Sequence, residues 1–213
     1  MPIANDVYNY LESNYVPNSP IFLSELIIPG IATVTVRQQL KKLTEDGRLR
    51  RFDTGIYYIP LKTMFLSGSS LSIDEVIRKK YLLDGGNVCG YVGGLMFANL
   101  LGLTTQVPSR YEVYTNKATT EYRDVKLQSY RIILRKPCCQ IDEGNVAILQ
   151  FLDLFRNLEN VSEVEGEELA TKIINYMDKK NITFKSLRPY LKFYPDSIYK
   201  NMYEARLLNG ISS

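Results

Sequence analysis

Thr35, Arg37, Gln38, Lys41 and Lys42 lie close together in one stretch of the chain, and Arg48, Arg50 and Arg51 follow before residue 52. Arginine and glutamine carry paired hydrogen-bonding groups that match the edges of guanine and adenine in the major groove. Lysine suits phosphates, where a point charge is enough and no sequence is read. Three arginines a few residues on can reach a flanking backbone or a minor groove. The chemistry these residue types support is therefore recognition of double-stranded DNA. The distribution of charge agrees. Residues 1–32 hold Asp6, Glu12 and Glu25 and no lysine or arginine. Residues 33–62 hold Arg37, Lys41, Lys42, Arg48, Arg50, Arg51 and Lys62 against Glu45, Asp46 and Asp53. Over the whole chain the formal net charge is only +3, so the concentration carries the argument and the total does not.

Other chemistries are poorly served. The chain has no histidine, which removes Ser-His-Asp and Cys-His nucleophilic systems, His-bearing zinc sites and imidazole acid–base work together. Its three cysteines, Cys89, Cys138 and Cys139, fit neither a disulfide framework nor a C-x-x-C pair, and Cys89 reads as a small buried hydrophobe. Asp124 with Glu112 or Glu121 has no spacing that marks a metal-dependent site, and no Asp-x-Asp occurs. Gly90, Gly93 and Gly94 match neither the dinucleotide-binding nor the P-loop spacing, so close packing is the expectation for them. No catalytic residue, metal ligand or cofactor is expected.

The basic residues need a scaffold, and the pattern around them supplies one. Val7, Tyr8, Leu11 and Tyr15 recur at helical spacing, with Asn5 or Asp6 as N-cap. Pro17 to Pro20 break the chain, and residues 21–26 form a short strand or turn leading into a second small helix stopped by Pro29-Gly30. A third helix follows, capped by Thr33 or Thr35, with Val36, Leu40 and Leu43 on one face and Gly47 past its end. At about 100° per residue, Arg37, Gln38 and Lys41 point away from that seam, and Thr35 and Lys42 lie toward its edges. Residues 48–52 and 56–59 read as strands joined by Asp53-Thr54-Gly55. Three helices and a basic hairpin are the order of a winged helix-turn-helix, expected over residues 1–66.

Ser67-Gly68-Ser69-Ser70 is the expected linker to an α+β domain over residues 71–213. There Ser72 caps a helix to about Leu83, and a more apolar helix spans about Tyr91 to Leu101. Strands are expected at 111–115, 122–127 and 130–135. Arg110, Lys117, Arg123, Lys126, Arg131, Arg135 and Lys136 cluster on or near them; they make either a solvated sheet face or a second charged surface. From Val146 the pattern is helical, with Glu163, Glu165, Glu167 and Glu168 opening one helix and a last helix running from Asp196 or Ser197 to Gly210.

These residues also carry a family resemblance. Val36-Arg37-Gln38-Gln39-Leu40-Lys41-Lys42-Leu43, Gly47-Arg48-Leu49 and Gly55-Ile56-Tyr57-Tyr58 resemble the start of AbiEi-like antitoxins. The run from Gly94 to Pro108, ending Leu101-Gly102-Leu103-Thr104-Thr105-Gln106-Val107-Pro108, is similar to their apolar helix and the turn after it, and Tyr111 to Asn116 to the short strand beyond. The resemblance covers about residues 5–137. It implies a type IV toxin–antitoxin role. The winged helix would bind repeats in the operon's own promoter and repress it. The C-terminal domain would counter a nucleotidyltransferase-like toxin without a stable complex.

The expectation is thus a bacterial DNA-binding autorepressor and antitoxin, not an enzyme, with Thr35, Arg37, Gln38, Lys41, Lys42, Arg48, Arg50 and Arg51 at the DNA. No apolar run reaches the roughly 18 residues of a membrane span, and the N-terminus has no signal-peptide pattern, so a cytoplasmic location is expected. Two other readings remain open: a winged-helix transcription factor whose second domain senses a small molecule, and a winged helix fused to a nucleotidyltransferase or nuclease.

Overall fold

The computed structural model of the protein describes residues 3–61, 69–205 and 207. The architecture is mixed α+β, in two compact units, Met1–Lys80 and Tyr81–Ser213. Each unit is built on its own core.

In the first unit, α1 (Ile3–Asn14) and α2 (Thr33–Glu45) pack on a three-stranded antiparallel sheet of β1 (Ile21–Phe22), β2 (Arg50–Asp53) and β3 (Ile56–Tyr58), in the order β1-β3-β2. The aliphatic seam of α2 is as its periodicity requires: Val36, Leu40 and Leu43 are buried against Val7, Leu11, Ile21 and Leu49. Three expectations change. α1 begins at Ile3, so Asn5 and Asp6 lie inside it and not at its N-cap position. α2 is capped at Ala32 with no side-chain bond, so neither Thr33 nor Thr35 acts as N-cap. The second small helix does not form. Ile21 and Phe22 pair with Tyr57 and Ile56, and the chain then makes a turn and runs on without helix to Pro29. Leu26 and Ile28 are buried while Ile27 is 81% exposed, an alternation that suits extended chain and leaves no helical face to bury.

The hairpin closes with Thr54-Gly55 between Asp53 and Ile56; Gly55 takes φ +71°, and the Asp53 carboxylate accepts from the Thr54 amide at 2.6 Å. The strand expected at 48–52 starts instead at Arg50, so Arg48 belongs to the turn after α2.

The expected linker is only partly within view, since Ser67 and Gly68 lie outside the described residues. Ser69 is tied down: its hydroxyl donates to Asn18 at 2.6 Å and accepts the Leu61 amide at 2.8 Å. The next helix, α3 (Ile73–Ile77), is capped by Ser72, whose hydroxyl accepts the Asp74 amide, and it continues as a π-turn over Arg78–Leu82. Lys79 from that turn donates to the Pro20 carbonyl at 2.8 Å and sits 5.1 Å from the centre of the Tyr15 ring. These bonds explain why the first unit extends to Lys80, past the polar stretch that composition marks as a break.

The second unit opens with a tight hairpin, β4 (Leu83–Asp84) and β5 (Asn87–Val88), turned by Gly85-Gly86. A four-stranded sheet follows: β6 (Gly90–Gly93), β7 (Arg110–Thr115), β8 (Tyr122–Leu127) and β9 (Tyr130–Arg135), in the order β6-β7-β9-β8, with β7 and β9 parallel and the other pairs antiparallel. β8 and β9 have the limits that alternation sets. β6 is a correction, because the helix expected from Tyr91 begins only at Gly94, as α4 (Gly94–Leu100). The glycines decide this boundary by packing. A Cβ on Gly90 would lie 2.6 Å from the Tyr114 carbonyl oxygen, and one on Gly93 would lie 2.9 Å from the Tyr114 ring.

Five further helices follow among the described residues: α5 (Val146–Arg156), α6 (Leu158–Val161), α7 (Gly166–Lys180), α8 (Phe184–Leu191) and α9 (Ser197–Glu204). The expected end of the last helix at Gly210 lies outside the described residues. α5 is the pillar. Leu149, Phe151, Leu152, Leu154 and Phe155 are all buried, and the helix packs on β6, α4, α8 and α9. Asp153 is buried in the same helix; it accepts from the Tyr91 hydroxyl, and the Tyr91 ring stacks on Tyr114 at 5.1 Å. Burial lifts the Asp153 carboxyl to about 6, with the Tyr91 hydroxyl and the charges of Arg156 and Arg135 pulling the other way.

The Leu-Gly-Leu-Thr-Thr-Gln-Val-Pro run has a structural explanation in Glu163. That residue lies before α7, not in its first turn. Its carboxylate accepts from the Thr105 amide at 2.7 Å, the Thr105 hydroxyl at 3.1 Å and the Gln106 side chain at 3.0 Å. The Thr105 amide first, and then the side-chain donors, hold the carboxyl down to about 2. A depressed carboxyl contributes stability that is full above its unfolded value and is lost as pH falls through its folded one. We therefore expect the Thr105 amide to be protected from hydrogen exchange at pH 5. Glu163→Gln should lose much of that protection, and equal protection in both proteins would show that the carboxylate does not hold the turn.

Candidate nucleic-acid interface

The outward face of α2 is built by the burial of the opposite one. With Val36, Leu40 and Leu43 fixed in the core, Arg37, Gln38, Lys41 and Lys42 are exposed and Thr35 is half-buried. Among the described residues Arg37, Gln38 and Lys42 make no ion pair or side-chain hydrogen bond. Lys41 is 3.8 Å from Glu45 one turn on, with both side chains mostly in solvent. Such a pair is worth only a few tenths of a kcal/mol, ~0.3–0.5, and yields readily to a phosphate. The helix therefore presents one planar guanidinium, one carboxamide and one ammonium group without a partner among the described residues, and a second ammonium group held only by the weak Glu45 pair.

Arg37 also lines a cleft of about 280 Å³ with Leu23 and Ser24 from the turn after β1 and with Thr54 and Gly55 from the hairpin tip. The same side of the unit thus gathers the start of α2 and the tip of the hairpin. Val34 adds an apolar element that charge and hydrogen-bonding patterns pass over. It is 65% exposed and, two residues before the seam opens, lies on the same face as Arg37 and Gln38. An aliphatic group in that position can meet a thymine methyl. The wheel that locates Arg37 also locates Val34, but an aliphatic residue passes for core until its exposure is known.

The three hairpin arginines do not behave alike. Arg48 lies over the Tyr8 ring, its guanidinium carbon 3.6 Å from the centroid, and is half-buried; its first role is to bind the end of α2 to α1. Arg50 is also half-buried and donates to the Ser69 carbonyl at 3.5 Å. Arg51 is exposed and folds over the turn, donating to the Asp53 carbonyl at 3.2 Å and the Thr54 hydroxyl at 3.1 Å. Of the three, Arg51 is the one whose charge faces solvent at the hairpin. The structure therefore brings Arg37, Gln38, Lys41 and Lys42 together on one free face, sets Arg51 on the hairpin, and gives Arg48 and Arg50 internal partners.

In the second unit, strand register settles the placing of the other basic residues. Arg110, Arg131 and Lys126 form one row across β7, β9 and β8, and Arg135 stands on that same face, whereas Arg123 points to the opposite one. The nearby carboxylates are matched to cations: Arg131 donates to Asp124 at 2.6 Å, Lys136 is 3.6 Å from Glu121, and Glu112 stands between Arg110 and Arg135. All three cysteines are free thiols: Cys89 is buried, Cys138 exposed and Cys139 half-buried. Burial raises the Cys89 thiol above its ordinary value, as a small packed hydrophobe requires. No helix among the described residues is long and apolar enough to cross a membrane. No protein-family model and no curated protein matches the chain.

Proposed function

We propose that the first unit is a winged-helix DNA-binding domain and that the protein is the autorepressor and antitoxin of a type IV toxin–antitoxin pair, without catalytic activity of its own. One observation carries the DNA-binding part: α2 holds Arg37, Gln38, Lys41 and Lys42 outward, with Lys41 in no more than a weak exposed pair, opposite a buried aliphatic seam. The setting supports it. The order α1, β1, α2, β2, β3, with an antiparallel β1-β3-β2 sheet, is compatible with a winged helix in which a turn stands for the middle helix. In that reading α2 enters the major groove, Arg37 and Gln38 meet base edges, Lys41 and Lys42 meet phosphates, and Arg51 reaches the flanking backbone from the hairpin. The antitoxin part rests on the resemblance of residues 5–137, and its expected target is a nucleotidyltransferase-like toxin.

A gel shift with the DNA upstream of the protein's own gene tests the first part. Binding should be at least 100-fold tighter than to random DNA of equal length, with log K falling steeply as salt rises. Equal binding of the two would remove the autorepressor. Co-expression with a nucleotidyltransferase-like protein encoded beside it tests the second: growth should be rescued without a stable complex on gel filtration.

A further inference from the structure

The second unit contains a polar cleft of about 540 Å³ that the DNA-binding reading leaves unused. It opens where α4, α5 and α6 leave part of the sheet uncovered. Arg110 and Arg135 rise from the sheet, Lys136 follows β9, and Arg156 comes from the last turn of α5. Among the described residues two carboxylates line it, Glu112 and Glu121. Four cations face two anions.

The way those charges are held distinguishes the cleft from an ordinary solvated surface. Glu112 is largely enclosed, its side chain 18% exposed, with Arg110 at 3.5 Å on one oxygen and Arg135 at 3.3 Å on the other. One carboxylate thus orients two guanidinium groups and neutralises one of them. Glu112 is itself wedged from below. Gly94 takes φ +59°, and a Cβ there would lie 3.0 Å from the Glu112 carboxyl carbon. The Glu121–Lys136 pair is exposed and gives up its partner at small cost. Arg156 has no carboxylate within 4 Å and no side-chain hydrogen bond among the described residues. The excess is therefore two positive charges, in a concave site that includes an oriented guanidinium pair and an uncommitted third guanidinium. Guanidinium groups pair with carboxylates and phosphates alike, and an excess of two positive charges matches a dianion better than a single carboxylate.

The remaining walls are not built for a bare ion. Leu95 and Val161 supply apolar surface, Asn157 and Asn160 supply paired donors and acceptors, and the Tyr122 ring is half-exposed beneath Arg135, 5.7 Å from it. The volume lies within the range of small-molecule sites. We propose that this cleft binds a phosphate monoester with a planar organic body of mononucleotide size, the phosphate on Arg156 and on the donors of Arg110 and Arg135 that Glu112 does not engage, and the ring against Tyr122. The inference does not rest on DNA binding, since every residue it uses belongs to the second unit.

Calorimetric titration of the full chain with adenosine monophosphate, adenosine and inorganic phosphate tests it. The monophosphate should bind at least tenfold more tightly than either of the other two. Arg156→Ala, which removes an exposed side chain that makes no hydrogen bond or ion pair among the described residues, should weaken it tenfold or more while the protein stays folded, its melting temperature within a few degrees of wild type. Lys126→Ala, on the same sheet face but outside the cleft, should leave it unchanged. Three results would each overturn the proposal: nucleoside binding as well as nucleotide, Arg156→Ala binding as wild type, or Lys126→Ala costing as much as Arg156→Ala.

Discussion

The Arg37→Glu, Lys41→Glu double variant is expected to lose specific operator binding altogether, by a factor above 100, while its thermal melt stays within a few degrees of wild type. Each half of that expectation has its own source. Among the described residues Arg37 has no hydrogen-bond or ion-pair partner and Lys41 has only Glu45, so removing them disturbs no described bond of consequence. A lost base-edge pair costs about 1–3 kcal/mol, and placing two carboxylates against phosphates adds repulsion to that loss. The salt dependence should flatten as well, by roughly one unit in slope for each phosphate contact removed. Arg48→Ala is the instructive contrast. It breaks the stacking on Tyr8, so its main effect should be on the stability of the first unit. A double variant that binds its own promoter like wild type would show that α2 is not the reading helix.

The second large effect is on stability and is set by one buried carboxyl. Asp153, in the last turn of α5, titrates near 6 because burial penalises its charge. In the unfolded chain an aspartate titrates near ~3.9. Below the unfolded value both states are neutral, and the group has no effect on the balance. As pH rises from about 4 to 6 the unfolded chain releases its proton while the folded one keeps it, so stability falls; above about 6 the penalty is constant. The size is on the order of 2–3 kcal/mol. Asp153→Asn keeps an acceptor for the Tyr91 hydroxyl and cannot ionise. Its stability relative to wild type, from denaturant midpoints, should therefore rise between pH 4 and pH 8 by about that amount. Taking the difference cancels carboxylates of opposite sign such as Glu163. A difference that is flat with pH would mean that Asp153 is ionised throughout and that its neighbours compensate its burial.

Parts of this structure could be read from the chain and parts could not, and the division follows the range of the interaction involved. The seam of α2 is a local periodicity, and Val36, Leu40 and Leu43 are buried where the spacing puts them. Strands β8 and β9 are alternating runs closed by turns, and their limits coincide with the expected ones. The failures come from long-range packing. Tyr91 to Gly93 have the composition of a helix start, but Gly90 and Gly93 let them approach β7 closely enough to pair with it. The second small helix lost to the pairing of Ile21 and Phe22 with β3. On α2, helical geometry gave the exposure of Arg37, Gln38, Lys41 and Lys42 directly. It could not give the commitments of Arg48 to Tyr8 and of Arg50 to Ser69, which depend on side chains distant in sequence. Arg156 was missed for the same reason: it enters the cleft from a helix whose neighbours no local pattern reveals.

The single parallel pairing in the sheet bears on how the chain is made. β9 lies between β7 and β8, yet both of those strands leave the ribosome before it. Until β9 emerges, β7 has one edge of unsatisfied amides and carbonyls, the kind of edge that recruits foreign strands. The wait is brief, because β8 and β9 are joined by a tight turn at Gln128 and Ser129, and the last strand to be synthesised closes both gaps at once.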